Sequence, residues 1–274
     1  MRNVSGSPAR QPRHGATGWS GVRGKRVVVT GGTRGLGEQI VRLLAAEGAR
    51  VATCARTAED LAALAASVDA VELFTDALDV TEPGRLEGFV ATSAKRFGGL
   101  DGVVACAGGS RGGRFERAEA EDWAATWELN VGHTARLVRT AVPHLRAAGG
   151  GSVVVISSIS GWKPGPYAQY GVAKSAQIQL AASLARELGP DGIRVNAVSP
   201  GSMLIPGRRW DRMRRDDPEG FAAFVAAELP GGEPVAPEEV ARVVAFLLSD
   251  LSSGISGAHL PVDRAQNAPS PDGY

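Results

Sequence analysis

Residues 27–37 read Val-Val-Val-Thr-Gly-Gly-Thr-Arg-Gly-Leu-Gly, and residues 36–47 continue as LGEQIVRLLAAE. Three consecutive β-branched residues form a strand that is covered on both faces. The glycines then turn the chain, and Leu36–Glu47 has the apolar periodicity of an amphipathic helix. Strand, glycine turn and helix in that order build a phosphate cradle. Glycine lets the backbone approach a pyrophosphate, and the helix N-terminus offers free N–H groups and a positive dipole end. The glycines fall at Gly31, Gly35 and Gly37, a Gly-x-x-x-Gly-x-Gly spacing, with Thr33, Arg34 and Leu36 between them.

The same alternation runs outward along the chain. The expected strands are Arg26–Thr30, Ala49–Cys54, Val71–Thr75, Gly102–Cys106, Ser152–Ser157, Arg194–Ala197 and His259–Val262. Amphipathic stretches at Leu36–Glu47, Ala58–Ala66, Leu86–Phe97, Trp123–Ala147, Ala168–Leu188 and Pro237–Leu248 separate them. About seven strands with intervening helices predict one Rossmann-like α/β domain, a doubly wound parallel sheet with helices on both faces. The domain is expected over 25–264, between a disordered tail at 1–24 and a second tail at 265–274. Residues 202–230 depart from the alternation, being polar and then helical around Phe221–Leu229. They are expected to form a lid insertion over the active site, with Met203, Trp210, Met213 and Phe221 as candidate substrate contacts.

Bulk composition narrows the function classes. The 274 residues carry a net charge of +1 and are 43% hydrophobic. Near-neutral charge argues against bulk binding to nucleic acid or anionic membranes, and no apolar run is long enough to span a bilayer. Two cysteines make no disulfide framework. No metal-ligand spacing connects His133, His144 and His259, so no metal is expected. The first 24 residues lack the apolar core of a secretory signal, and a cytoplasmic location is expected.

Two positions speak to cofactor choice. The second strand ends Thr53-Cys54-Ala55-Arg56, without the acidic residue that usually binds the ribose 2′-hydroxyl of NAD. Arg56 and Arg34 are placed to flank a 2′-phosphate, which points to NADP(H). Two further positions speak to chemistry. Tyr170 and Lys174 lie four apart, on one helix face, in a chain with only 3 tyrosines. A phenol with an ordinary pKa near ~10 exchanges protons poorly at neutral pH, and a neighbouring ammonium lowers that value. Ser158 stands at the C-terminal end of a buried strand, where open α/β sheets bind ligands, and its hydroxyl can bond a carbonyl.

Taken together these segments resemble the short-chain dehydrogenases/reductases of the roughly 250-residue type, including 3-oxoacyl-carrier-protein reductases and related ketoreductases. The likeness extends from Gly24 to Asp263. Thr30–Gly37 resembles that family's cofactor loop, and Ser158, Tyr170 and Lys174 match its catalytic residues in order. The resemblance implies further roles. Asp79 and Val80 would meet the adenine, and Ala107 and Gly108 would line the cofactor crevice. Asn130 would support a proton-relay water, and Pro200, Gly201 and Ser202 would pass the nicotinamide. It also implies a homotetramer, or a homodimer, built on the long helices at Trp123–Ala147 and Ala168–Leu188.

The sequence departs from the family pattern twice. Ala105-Cys106-Ala107-Gly108 stands where the family often has Asn-Asn-Ala-Gly, and Ile205 stands where a threonine commonly touches the carboxamide. The expected activity is NADP(H)-dependent hydride transfer between nicotinamide and a ketone or secondary alcohol, as a biosynthetic ketoreductase acting on a small or carrier-linked ketone. Two other readings fit the same residues. One is a non-catalytic NADP(H)-binding sensor, and the other a dehydratase or epimerase on the same scaffold.

Overall fold

The computed structural model describes residues 20–267. Of the expected tails, 1–19 and 268–274 lie outside the described residues. Ser20 and Val22 are already buried, and Gln266 is buried at the other end.

Seven strands, β1 (Arg26–Thr30), β2 (Arg50–Ala55), β3 (Glu72–Ala77), β4 (Gly102–Ala105), β5 (Gly151–Ile156), β6 (Ile193–Pro200) and β7 (His259–Val262), form one sheet. The strand order is β3-β2-β1-β4-β5-β6-β7, and every pairing is parallel. The order reverses between β1 and β4. That is the switch point where a crevice opens beyond the strand C-termini.

Alternation of side chains along each strand divides the core into two layers. Val28, Ala52, Val103, Val153 and Val195 face one way, against Phe89 and Leu137 of helices α3 (Arg85–Phe97) and α5 (His133–Ala147). Val27, Val29, Val51, Val104 and Val154 face the other, against Ile40 and Val244 of α1 (Gly35–Ala46) and α9 (Pro237–Leu248). The β-branched runs are therefore continuous because both faces of the sheet are covered. Helix α2 (Ala58–Ser67) sits beside β2 and β3.

Three segments differ from the sequence-based expectation. The single helix expected over Trp123–Ala147 is α4 (Ala120–Trp127), a π-helical turn (Glu128–Gly132) and α5. Strand β6 runs on to Pro200, well past Ala197. The region 202–230 holds two helices, α7 (Arg209–Asp216) and α8 (Pro218–Glu228). The second is set by Pro218 at its first position and by Asp217, whose side chain accepts from Gly220 N at 2.9 Å. Helix α6 (Ala168–Leu188), at 21 residues the longest, came through as expected.

Candidate active site

The glycine turn lies at the switch point. Gly31 adopts φ +76 and backs onto Ala107, where a Cβ would sit 3.1 Å from the Ala107 Cα. A Cβ on Gly37 would overlap the Gly31 carbonyl oxygen, so this turn closes only with glycine at both places. Arg34 caps α1 without any side-chain hydrogen bond, which leaves the first-turn N–H donors to an anion. Thr33 and Arg34 thus sit on the mouth of the cradle, with Gly35 and Leu36 opening the helix.

Across the crevice, Thr30 Oγ1 accepts from Cys106 N at 3.0 Å and from Ala107 N at 3.1 Å. These bonds, with those of Asn130, hold the loop that lacks the family's asparagine side chains. Gly108 follows, so close to two candidate site residues that a Cβ there would lie 2.8 Å from Asn130 Oδ1 and 3.2 Å from Lys174 Nζ.

The residues expected to meet the adenosine lie just beyond the ends of β2 and β3. Asp79 accepts from Thr81 N at 2.9 Å and from Thr81 Oγ1 at 2.7 Å. Burial pushes its carboxyl up, but these bonds and the nearby Arg56 hold it below the usual range. Val80 is buried, and its carbonyl accepts from Arg136 Nη2 at 2.6 Å. Ala55 ends β2, followed by exposed Arg56.

A third arginine joins the two expected there. Partial burial and the charges of Arg208 and Arg56 push the Arg34 guanidinium below its ordinary value, with Asp60 opposing them. Arg26, Arg42, Arg50, Arg136, Arg146 and Arg264 each pair with a carboxylate. None of the ion pairs among the described residues includes Arg34, Arg56 or Arg208. Arg208, just before α7, belongs to this cationic rim.

The candidate catalytic residues come together at the C-terminal end of β5 and the start of α6. Ser158 follows β5, its Oγ accepting from Ser160 N at 3.1 Å. It also hydrogen-bonds to Tyr170. Lys174 is 3% exposed, with Nζ donating to Ile156 O at 2.9 Å and to Gln177 Oε1 at 2.8 Å. Its Nζ stands 5.5 Å from the centre of the Tyr170 ring. Burial lowers the Lys174 ammonium to about 8. Burial also raises Tyr170, and the Ser158 bond only partly offsets it. The lowering of Tyr170 expected from a neighbouring ammonium is therefore not the net result in this structure. Desolvation of the phenolate dominates, and the one lowering influence comes from Ser158.

Asn130 sits inside the π-helical turn and is fully buried. Its Nδ2 donates to Thr126 O and Gly109 O, each at 2.7 Å, while Oδ1 accepts from Gly109 N at 3.3 Å. Its main-chain carbonyl accepts from Thr134 Oγ1 at 2.6 Å and Gln177 Nε2 at 3.0 Å. Two side chains thus already bond the main-chain carbonyl of Asn130.

Neighbouring groups are quiet. Burial pushes the Cys106 thiol up to about 12 and His133 down to about 3. Cys106 is accordingly no nucleophile, and His133 is a neutral core residue bonded to Leu129 O at 2.6 Å. Gln169, which sequence reasoning did not single out, anchors the loop after β4 by donating to Arg111 O at 2.7 Å and Gly113 O at 3.0 Å.

After β6, Pro200 and Gly201 lead to Ser202, which is clasped by Gln266. Ser202 N donates to Gln266 Oε1 at 2.7 Å, and Gln266 Nε2 donates to Ser202 Oγ at 2.9 Å. Met203 packs on the α1–α9 layer and Ile205 lies over Gly35. In the expected lid segment, Trp210 stacks on Phe224 at 3.9 Å, and Phe221 lies 6.3 Å from Phe224. Met213 is half-buried on α7. A cleft of about 460 Å³, lined by Arg114, Phe115, Glu116, Gly165, Pro166 and Ala168, opens beside the start of α6, two residues before Tyr170.

Among the described residues no cluster of His, Cys, Asp or Glu could hold a metal, and no helix is long and apolar enough to cross a membrane. Residues 31–264 match the family model described as enoyl-(acyl carrier protein) reductase. The chain is 35% identical over 251 residues to an isoepoxydon dehydrogenase of Penicillium expansum, covering 89% of this chain and 95% of that one. It is 36% identical to a 3-alpha-(or 20-beta)-hydroxysteroid dehydrogenase of Mycobacterium tuberculosis, covering 88% of each. A short-chain type dehydrogenase/reductase from Mycobacterium ulcerans superposes with TM-score 0.83 at 31% identity, over 89% of this chain and 90% of that one. The L-sorbose reductase of Gluconobacter frateurii, solved with NADPH and L-sorbose, superposes with TM-score 0.84 at 31% identity, over 92% and 99%. With its glycine turn, its hydrogen-bonded Ser158–Tyr170 pair and buried Lys174, the chain belongs to the short-chain dehydrogenase/reductase family, oxidoreductases of alcohol and ketone groups that use a nicotinamide cofactor.

Proposed function

We propose that this protein is an NADP(H)-dependent ketoreductase that interconverts a ketone and a secondary alcohol. The Ser158–Tyr170 hydrogen bond beside buried Lys174, at the crevice that the glycine turn borders, carries this reading. The residues fit the cofactor. Gly31, Thr33, Arg34, Gly35, Leu36 and Gly37 form a cradle that side chains would fill, and Arg34 and Arg56 offer unpaired guanidiniums to a 2′-phosphate. Asp79, Val80, Ala107, Gly108, Pro200, Gly201 and Ser202 would line the rest of its path.

The cofactor, when bound, supplies the hydride. In the reductive direction Tyr170 donates its proton to the carbonyl oxygen, and Ser158 orients that carbonyl by a hydrogen bond. Lys174 keeps a cation beside Tyr170, which favours the phenolate left after transfer. Trp210, Met213 and Phe221 would close the lid over the substrate. Relatives named for cyclohexane and steroid alcohols support a ring ketone as substrate; a place in a biosynthetic route, with the ketone free or carrier-linked, belongs to the same proposal. Exposed Trp127 and Val172, in the spans Trp123–Ala147 and Ala168–Leu188, support a homotetramer or homodimer built on those helices, and a cytoplasmic location is proposed with it.

Following nicotinamide absorbance with NADPH and a panel of cyclic ketones, steroids and 3-oxoacyl thioesters tests the reading. Consumption of NADPH with one class is expected. Tight binding without turnover would favour the sensor, and substrate conversion without net change in nicotinamide would favour the epimerase or dehydratase.

A further inference from the structure

Gln177 stands one helical turn beyond Lys174, is fully buried, and faces no solvent. Every polar atom of its side chain is committed. Oε1 accepts from Lys174 Nζ at 2.8 Å. Nε2 donates to Asn130 O and to Thr134 Oγ1, each at 3.0 Å. The π-helical turn is what brings Asn130 into this arrangement. Such turns recur at functional sites because they re-aim one residue within a helix.

The amide cannot turn over. A flip would point its N–H groups at an ammonium and its oxygen at a carbonyl oxygen, exchanging two attractions for two repulsions. Its orientation is therefore locked from the Asn130 side and read out at Lys174. Lys174 has three N–H donors. Ile156 O and Gln177 Oε1 hold two, and the third is left for the site, where the Tyr170 ring stands 5.5 Å away.

We propose that Gln177 is a positioning residue for catalysis: it fixes the Lys174 ammonium through a neutral amide link to the main chain of Asn130. This deepens the ketoreductase reading and rests on it for its functional meaning. An amide does not exchange protons near neutrality as a water chain does, so the link holds the ammonium in place without conducting a proton away from it.

The groups facing Lys174 leave this job to Gln177. Cys106 at the end of β4 is a thiol at working pH, His133 on α5 is neutral with Arg136 beyond it, and Tyr170 on α6 is a phenol. Among the described residues no carboxylate therefore faces Lys174; the charge it feels is that of Cys106. Neutral acceptors hold the proton against the cost of burial.

The test reads Lys174 directly, in protein without substrate. The chain has few lysines, at Lys25, Lys95, Lys163 and Lys174, so a ¹⁵N-lysine NMR titration resolves them. In Gln177→Leu, Lys174 loses a charge-assisted bond, and its titration should move down by about one unit from the wild-type value. Thr134→Val weakens only the lock, and its shift should be smaller. The descending limb of the reductive kcat profile should move with the lysine in both variants, with KM for NADPH unchanged. Gln177→Glu restores an acceptor and adds a charge, so its titration should move up. An unchanged Lys174 titration in folded Gln177→Leu overturns the proposal and leaves the ketoreductase reading intact. A shifted lysine in a protein that turns over no ketone supports the link and overturns that reading. If Gln177→Leu does not fold, the wild-type Gln177 side-chain amide decides: its resonances should move as Lys174 titrates, and fixed resonances would overturn the link.

Discussion

Helix α6, the wall that carries Tyr170 and Lys174, and helix α7, in the expected lid segment, are built on opposite principles. On α6, Gln169, Lys174 and Gln177 are buried together with Ala173 and Ala181, and each of the three polar residues is held by at least two side-chain hydrogen bonds, with Gln169 Oε1 left unpartnered. On α7 no residue is buried, Arg214 and Arg215 lean on Asp211, and Arg209 covers Trp210 at 4.5 Å. Arg208, at the start of α7, joins Arg34 and Arg56 in a cationic rim without a carboxylate partner. The comparison separates two tasks. The chain finishes the catalytic wall by itself, with hydrogen bonds that fix geometry before substrate arrives. The rim and lid keep unmatched charge and thin packing, and an anionic ligand would complete them.

The largest effect should come from the catalytic wall. Tyr170→Phe keeps the ring and removes the hydroxyl, and kcat should fall at least ~100-fold while cofactor affinity stays nearly constant. Steady-state kinetics beside a cofactor titration checks this, and turnover within a few-fold of wild type would break the assignment. The rim should respond in the opposite sense. Arg56→Ala should weaken NADPH binding about tenfold, the loss of one charge-assisted bond, and leave kcat at saturating cofactor almost unchanged. Ala55→Asp should go further and reverse the preference toward NADH, because a carboxylate repels the 2′-phosphate and accepts from ribose hydroxyls. Competitive titration with both cofactors reads each outcome.

A pH profile sharpens the same contrast. Burial depresses Lys174 to about 8, so its ammonium is present below that value and lost above it. Reductive kcat should hold steady near pH 7 and decline as pH rises through about 8. The sign for stability is separate. The unfolded lysine keeps its proton to higher pH than the folded one, so burial of this cation costs stability at neutral pH, and the cost fades as pH rises between the two values. A decline of kcat on the acid side alone would contradict the role given to Lys174. The smallest effect belongs to the lid. Amides of 209–228 should exchange faster than those of β4 and β5, and slow by a few-fold with NADP⁺ and product bound. Equal exchange in both states would remove the lid from the comparison.

The legibility of the sequence follows the same division. Strands β1 and β7 have the bounds that β-branched runs and turn residues predict, and the glycine loop, Ser158, Tyr170 and Lys174 meet where their spacing places them. The residues that were missed act through tertiary partners. Gln177 lies on a regular helical stripe with Gln169, Ala173, Lys174 and Ala181, but hydrophobic periodicity treats glutamine as a surface residue and cannot see a buried polar face. The π-helical turn adds one residue within an otherwise continuous helical pattern, so Glu128–Gly132 leaves no compositional mark. Helix α7 has four arginines among its eight residues and offers little apolar period to read. Gln266 falls in what reads as a tail, and only the fold brings it to Ser202.

Titration of the wild-type protein with NADPH and with NADH, read as two dissociation constants under one ionic strength, tests the division between finished wall and incomplete rim most directly. A rim that a 2′-phosphate completes should bind NADPH at least about tenfold more tightly, since one charge-assisted bond already supplies that difference. Equal constants, or tighter binding of NADH, would show that Arg34, Arg56 and Arg208 face solvent and would contradict it.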